Sequence, residues 1–522
     1  MARVLVTESI AASGLDLLRD AGHSVDVQED LDPAGLLGAI KGAHGLIIRS
    51  ATKVTAEVIE AGTDLIVVGR AGVGIDNVDV DTATGRGVMV VNAPESNIVS
   101  NAEQTMALLL AQARNVPQAH AALVQGRWER SRWEGVELHG KTLGIIGLGH
   151  VGTLVAQRAL AFGMRIVARD PYVSEERARH LGVQLMDLEQ LVAEADFLSV
   201  NVVKNAETVG MIGAELLAKA KPGLRIINTS RGGIIDEAAL AEAIGSGRIA
   251  GAGLDVFDKE PTTESPLFSL PSVVVTPHLG ASTAEAQDKA GVTIAEQVLL
   301  ALSGDFVPFA VNVAARGVSE PVRPFMALTE QLGRFFGCLH DQVPTEVEVE
   351  VSGAIAAERT EILTLCALKG LFATSTEDPV SYVNVPQLAE RRGLRVRETS
   401  TSGATQYVNL VTLRSESHSV AGTLTTGPRG EPRVVMVDDH KVEATPSPYM
   451  LVIRNDDQPG EVGVVGTVLG NAGVSIRSMA LAPTSEGTTA LMVLSVDPEV
   501  PESVARALAQ SPGILGVDRV RL

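Results

Sequence analysis

Thr142-Leu143-Gly144-Ile145-Ile146-Gly147-Leu148-Gly149-His150-Val151-Gly152 is the stretch that decides how this chain folds. An apolar, β-prone run enters a G-x-G-x-x-G turn, and an apolar periodic stretch, Val151 to Phe162, leaves it. In a strand-turn-helix setting the three glycines have separate tasks: a tight turn, close backbone approach to a pyrophosphate, and tight packing of helix on strand. The helix start adds free N–H donors and a positive dipole end, so the turn is an anion site. Asp170 follows Gly152 by 18 residues, at the end of the next strand candidate. A carboxylate there accepts from both ribose hydroxyls and repels a 2′-phosphate, which favours NAD over NADP. Arg169 softens that preference, and His150 reads as solvent-facing.

Outward from this motif, the strand candidates Thr142 to Ile146, Met164 to Ala168, Phe197 to Val200, Arg225 to Asn228, Ala252 to Asp255 and Ser272 to Val275 alternate with helical stretches. That rhythm predicts a doubly wound α/β sheet. A similar series precedes it, with strands at Val4 to Val6, Leu46 to Ile48, Leu65 to Val68 and Val88 to Val91 and a helix at Gly14 to Ala21. Asn101 to Arg114 reads as a connecting helix opened by Ser100 and Asn101. Ala284 to Ser303 is a long helix that carries the chain away from the chemistry, and Pro308 to Val313 a connector.

Composition shifts after Val313. Residues 320–445 read as a structural or oligomer-forming module with one helix, Met326 to Phe335, then Val- and Thr-rich strands with a turn at Gly427 to Gly430, and show no titratable constellation. After Pro446 and Pro448 the chain reads strand, helix, strand, strand, helix, strand, the split βαβ order. The expected domains are 1–97 with 284–313, 98–283, 314–446 and 449–522.

The chain has 522 residues, 45% of them hydrophobic, which is too long for one core. Its formal charge of −20 disfavours nucleic acid and anionic membrane as partners. Cys338 and Cys366 give neither a disulfide scaffold nor a thiolate metal cluster, and suit a reducing cytoplasm. No export signal, membrane span or metal ligand set is read.

Three residues past strand ends carry chemistry together: Arg231 in Thr229-Ser230-Arg231-Gly232-Gly233, Glu260 in Asp255-Val256-Phe257-Asp258-Lys259-Glu260-Pro261, and His278 in Thr276-Pro277-His278-Leu279-Gly280. Taking a hydride from a secondary alcohol requires a base for the hydroxyl proton, and imidazole suits neutral pH. A carboxylate on the other ring nitrogen orients it, and an Arg holds an α-carboxylate beside it. Arg49 and Arg70 also stand at carboxyl ends of strands, where a guanidinium clamps anions.

These runs, with Gly147 to Gly152, resemble the signatures of the D-isomer-specific 2-hydroxyacid dehydrogenases. Gly69-Arg70-Ala71-Gly72-Val73-Gly74-Ile75-Asp76-Asn77 and the two extra modules narrow the resemblance to the long-form, phosphoglycerate-oxidising branch. The resemblance implies two Rossmann-like domains for substrate and NAD, an α+β intervening domain of the allosteric substrate-binding type, and a ferredoxin-like βαββαβ ACT domain. It implies oxidation of 3-phospho-D-glycerate with NAD, the committed step of serine synthesis, by a homotetramer. His278 is then the acid/base, Glu260 its partner and Arg231 the carboxylate binder, with Arg49, Arg70 and Asn97 (in Pro94-Glu95-Ser96-Asn97) at substrate positions. Gly147, Gly149, His150, Val151, Gly152, Asp170, Val202, Thr229, Ser230, Arg231, Asp255, His278, Leu279, Gly280 and Ala281 fall at cofactor positions. Asn455, Asp457 and Ser475 fall at effector positions for L-serine. Asn201-Val202-Val203 departs from the family's usual His-x-Pro, and Ser475 from its usual Asn.

Three other readings stay open at this point, one of them a pure amino-acid-binding sensor. A glyoxylate or hydroxypyruvate reductase, or another member of the family, would keep the same three residues. A NAD-sensing, corepressor-like binding protein would keep the fold without turnover.

Overall fold

The computed structural model describes residues 1–314, 318–376, 380–403, 406–425, 430–483 and 489–522. Its first sheet consists of β1 (Arg3–Val6), β2 (Ser24–Val27), β3 (Gly45–Ile48), β4 (Val67–Arg70) and β5 (Met89–Asn92). They lie parallel in the order β2-β1-β3-β4-β5. β3 is apolar throughout, and β4 and β5 are apolar up to Arg70 and Asn92 at their carboxyl ends, because helices cover both faces. The helix Ala284–Ser303 lies back across this sheet, with Ile294 and Val298 closing on Gly69 of β4. The connector after it is tied to β5, where Val311 N–H donates to Val90 O at 2.8 Å.

The second sheet holds β6 (Thr142–Ile146), β7 (Arg165–Arg169), β8 (Val183–Leu185), β9 (Phe197–Val200), β10 (Leu224–Asn228), β11 (Ile249–Leu254) and β12 (Val273–Val275). All are parallel, in the order β12-β11-β10-β9-β6-β7-β8. The strand order reverses beside β6, so the glycine turn opens at the switch point where such sheets bind ligands.

The third sheet is mixed: β13 (Glu346–Gly353), β14 (Arg395–Thr401), β15 (Asn409–Arg414), β16 (Ser419–Leu424), β17 (Pro432–Val437) and β18 (His440–Ala444). β13 and β14 pair parallel and the rest antiparallel, in the order β14-β13-β15-β16-β17-β18. The fourth sheet is antiparallel, with β19 (Tyr449–Asn455), β20 (Ser475–Pro483), β21 (Ala490–Asp497) and β22 (Ile514–Arg521) in the order β20-β21-β19-β22. Helices Glu461–Asn471 and Glu502–Ala509 complete its βαββαβ chain order. Among the described residues no helix is long and apolar enough to cross a membrane.

Several local expectations need correction. The connecting helix runs Ile98–Arg114, so Ser100 and Asn101 lie inside it and cap nothing; Asn97 holds the cap position without a side-chain bond. Ser100 Oγ instead meets Thr283 Oγ1 at 2.8 Å. β2 and β8 are edge strands, partly exposed and too polar to stand out as apolar runs. Among the described residues the third module has three α-helices rather than one, Phe325–Cys338, Glu361–Phe372 and Val385–Arg391. Glu361–Phe372 is buried on nearly all sides, so it lacks the polar face that marks a helix in sequence. The turn expected at Gly427 to Gly430 lies, apart from Gly430, outside the described residues.

The absence of a titratable constellation in that module also fails. Arg454 of β19 binds both Asp438 and Asp518, while His418 Nδ1 lies 3.1 Å from both Asp438 oxygens. Strand pairing within each sheet and packing of one sheet against the other assemble these groups from distant positions, which no local spacing could show.

Candidate active site

The carboxyl ends of the first two sheets share a cavity of about 460 Å³, lined from one side by Arg49, Arg70 and Ser96 and from the other by Glu260, His278 and Ala281. Neighbouring strands deliver the chemistry: Arg231 follows β10, Glu260 follows β11 and His278 follows β12.

His278 Nδ1 and Glu260 Oε2 are 2.5 Å apart, and Glu260 Oε1 accepts the Phe257 N–H at 2.8 Å. Burial by itself would raise the Glu260 carboxyl. The His278 bond, the Phe257 N–H and the positive charge of Arg231 outweigh it and hold the group below the usual carboxylate range. An ionised carboxylate only accepts, so Nδ1 carries the proton and Nε2 keeps a lone pair.

His278 has φ of 55°, a left-handed conformation that a non-glycine residue adopts only when its surroundings enforce it. Asp255 provides that enforcement. It is fully buried, and its carboxylate accepts from Leu279 N–H and Gly280 N–H at 2.8 Å each and from Thr276 Oγ1 at 2.5 Å. Sequence placed Asp255 at the nicotinamide side; in the fold its oxygens hold the turn that presents His278.

Arg49 and Arg70 have no carboxylate within ion-pair distance among the described residues, and Arg70 Nε is buried without a hydrogen-bond partner. Burial and the neighbouring Arg231 charge push the Arg70 guanidinium down to about 10, against the pull of Glu8 and Asp76. It stays cationic at neutral pH, and the assembly of like charges creates a demand for an anion. Arg231 reaches across toward the first sheet, with Nε 3.7 Å from Asp76 Oδ2 and Nη1 donating to Ser230 O at 2.8 Å.

The glycine turn divides its tasks as the motif suggests. Gly147 has φ of 90°, and a Cβ there would lie 2.4 Å from Asn201 O; a Cβ on Gly152 would lie 2.0 Å from Gly147 O. Gly149 differs, because a Cβ there meets no atom within 4 Å and would project into open space at the start of helix His150–Ala161. That open cradle over free N–H groups fits a dinucleotide pyrophosphate. His150 is exposed, Val151 half-buried, and Asp170 Oδ2 accepts the Leu148 N–H at 2.8 Å, so the acid reaches the turn itself.

Val202 packs against the same turn. Thr229 is buried and bonded to Thr105 at 2.6 Å, and Ser230 Oγ donates to Asn228 Oδ1 at 2.9 Å, so both act on the loop that carries Arg231. Leu279 is exposed and Ala281 lines the cavity. Asn97 stands one residue from Ser96, which lines the cavity in its place.

Sequence reading missed Glu8 and Asp76. Glu8 accepts from the backbone N–H groups of Arg49, Ala51 and Thr52, fixing the loop that aims Arg49, and its place just past β1 was the available signal.

The effector positions are not brought together in one protomer. Asn455 is buried at the end of β19, its Nδ2 without a partner among the described residues and its Oδ1 accepting the Asp457 N–H at 3.0 Å. Asn455 pairs with Ala490, at one end of β21, and Ser475 with Asp497, at the other. That separation is roughly 23 Å along the strand.

Comparison with known proteins agrees with this geometry. Residues 106–280 match the NAD-binding domain of the D-isomer specific 2-hydroxyacid dehydrogenases, residues 321–438 the D-3-phosphoglycerate dehydrogenase intervening domain, and residues 449–513 the ACT domain. A Mycobacterium bovis protein named D-3-phosphoglycerate dehydrogenase is 48% identical over 513 residues, covering 97% of this chain and 96% of its own. One of the same name from Synechocystis is 40% identical over 529 residues, covering 100% of this chain and 95% of its own. Among solved structures, the TT0316 protein of Thermus thermophilus is 37% identical with a TM-score of 0.55, covering 59% of this chain and 99% of its own. A glyoxylate reductase from Paecilomyes thermophila is 28% identical with a TM-score of 0.54, covering 59% and 98%. With all three domain models matched in order and identity sustained along its length, the chain belongs to the D-3-phosphoglycerate dehydrogenases of the D-isomer-specific 2-hydroxyacid dehydrogenase family.

Proposed function

We propose that this chain oxidises 3-phospho-D-glycerate to 3-phosphohydroxypyruvate with NAD, the first committed step toward L-serine. The observation that carries the reading is the His278–Glu260 pair opening onto a cavity whose other wall holds two guanidiniums, Arg49 and Arg70, without a carboxylate partner among the described residues. NAD, when bound, would supply the hydride acceptor for C2 of the substrate. Gly147, Gly149, Val151 and Gly152 would hold its pyrophosphate and Asp170 its ribose. Val202, Thr229, Ser230, Asp255 and the Leu279–Ala281 turn would stand toward its nicotinamide.

His278 Nε2 takes the C2 hydroxyl proton, and the imidazolium so formed is stabilised by the Glu260 carboxylate on Nδ1. Arg231 holds the α-carboxylate. Arg49 and Arg70 hold the phosphate, with Asn97 beside Ser96 at the rim.

A steady-state assay over 3-phosphoglycerate, hydroxypyruvate, glyoxylate and 2-oxoglutarate with both cofactors tests the reading. The phosphorylated pair should lead in kcat/KM by at least about 10²-fold, because a site built for an anion rejects analogues lacking it. Equal use of glyoxylate or hydroxypyruvate would favour an unphosphorylated-substrate reductase. Asp170→Ala should lower the NAD-to-NADP ratio of kcat/KM by about tenfold or more, by removing the ribose acceptor and its repulsion of a 2′-phosphate. An unaltered ratio would argue against that role.

L-serine is the proposed effector, acting through Asn455, Asp457 and Ser475. Since these lie at opposite ends of one sheet, a single small ligand would touch all three only across two copies of the chain, as an isologous contact permits. A second self-complementary face is supported by exposed apolar residues at Val116, Leu123, Val124 and Trp128. Two distinct two-fold contacts generate a tetramer. Serine titrated into the assay should inhibit below millimolar concentration, and no response would leave the last module structural. The unpaired Cys338 and Cys366 suit a reducing, cytoplasmic setting.

A further inference from the structure

The third sheet has a second cavity, of about 220 Å³, on the face opposite helices Phe325–Cys338 and Glu361–Phe372. Strand register builds it. Glu350 lies opposite Thr412, Thr412 opposite Ala421, Ala421 opposite Met436 and Met436 opposite Lys441, so one row crosses five strands with a carboxylate at one end and an ammonium at the other. The small Ala421 at its centre leaves depth between them.

Among the described residues, none of these polar groups is spent on the protein. Among the described residues, Glu350 and Lys441 form no ion pair, and the side chains of Ser352 and Thr412 make no hydrogen bond although those residues are only 9% and 5% exposed. Both residues line the cavity, and opposite charges facing one hollow ordinarily meet. Here four strand spacings, roughly 19 Å at the backbone, keep them apart.

We propose that this cavity binds an extended zwitterion, its ammonium end on Glu350, its carboxylate or phosphate end on Lys441, and its polar middle on Ser352 and Thr412. A compact zwitterion with adjacent charges cannot reach both ends. The site is remote from His278 and takes a ligand distinct from the substrate. Lys441 sits on β18, which packs against β20 of the fourth sheet, so occupancy lies one strand from the last module.

Calorimetric titration of the full chain with glycine, 4-aminobutyrate and 6-aminohexanoate reads the charge separation directly. Affinity should rise with chain length, with 6-aminohexanoate at least about tenfold tighter than glycine. Glu350→Gln and Lys441→Met should each weaken it by about tenfold or more, while basal turnover stays unchanged as a control for folding. Equal binding of all three probes, no saturable binding of any, or binding that survives both substitutions would overturn the proposal.

Discussion

Replacing His278 by Gln should lower kcat by about 10²- to 10⁴-fold while NADH affinity stays within about threefold, the range expected when a positioned general base is lost but the binding surface remains. Glutamine can still donate toward Glu260, so the loop keeps one of its ties, but its amide takes no proton near neutral pH. The remaining ties are independent of the imidazole, because Asp255 holds Leu279 and Gly280 through their backbone N–H groups. The left-handed residue 278 is therefore enforced from below, whatever its side chain. Steady-state turnover at saturating 3-phosphoglycerate, set beside a fluorescence titration with NADH, separates the two effects. Unchanged turnover would remove His278 from the chemistry, and a parallel collapse of NADH binding would recast it as structural.

Arg231→Gln should lower kcat/KM by about 10²- to 10³-fold, since truncating one partner of a desolvated charge pair costs on the order of 2–5 kcal/mol. Much of the loss should appear in KM if the carboxylate is held equally in ground and transition states, and in kcat if Arg231 also fixes C2 against His278. The structural cost is small. The protein partner of Arg231 is Asp76, whose side chain is 80% exposed, and such a pair contributes at most about 1 kcal/mol. Removal also relieves Arg70 of a neighbouring positive charge, which partly offsets any loss of packing. A melting temperature within about 2 °C of the parent, together with weakened kcat/KM, distinguishes substrate contact from destabilisation. Wild-type kinetics would exclude the assigned role.

The parts legible in the sequence were those where local chemistry and local structure coincide. The strand from Thr142 to Ile146, the glycine turn and the helix behind it are contiguous, so the motif carried its own context. Ala284–Ser303 was equally plain, a long amphipathic helix with Thr283 at its cap. Legibility failed where burial erased periodicity, as in Glu361–Phe372, and where strands lie at sheet edges, as in Ser24–Val27. It failed too at the start of the connecting helix, where Ser100 and Asn101 look like caps but lie inside the helix, Ser100 meeting Thr283 instead. At the active site, residue types at strand ends named His278, Glu260 and Arg231, but not the service performed by Asp255, Glu8 or Asp76.

By itself, then, the sequence determined the domain order, the dinucleotide turn and the kinds of side chain available for moving a proton and holding anions, because each is encoded within a few neighbouring residues. Only the tertiary structure decided which of those groups meet. The bond from His278 to Glu260, the approach of Arg231 to Asp76 and the row from Glu350 to Lys441 depend on strand order and register, and these are fixed by the packing of whole sheets rather than by any local run.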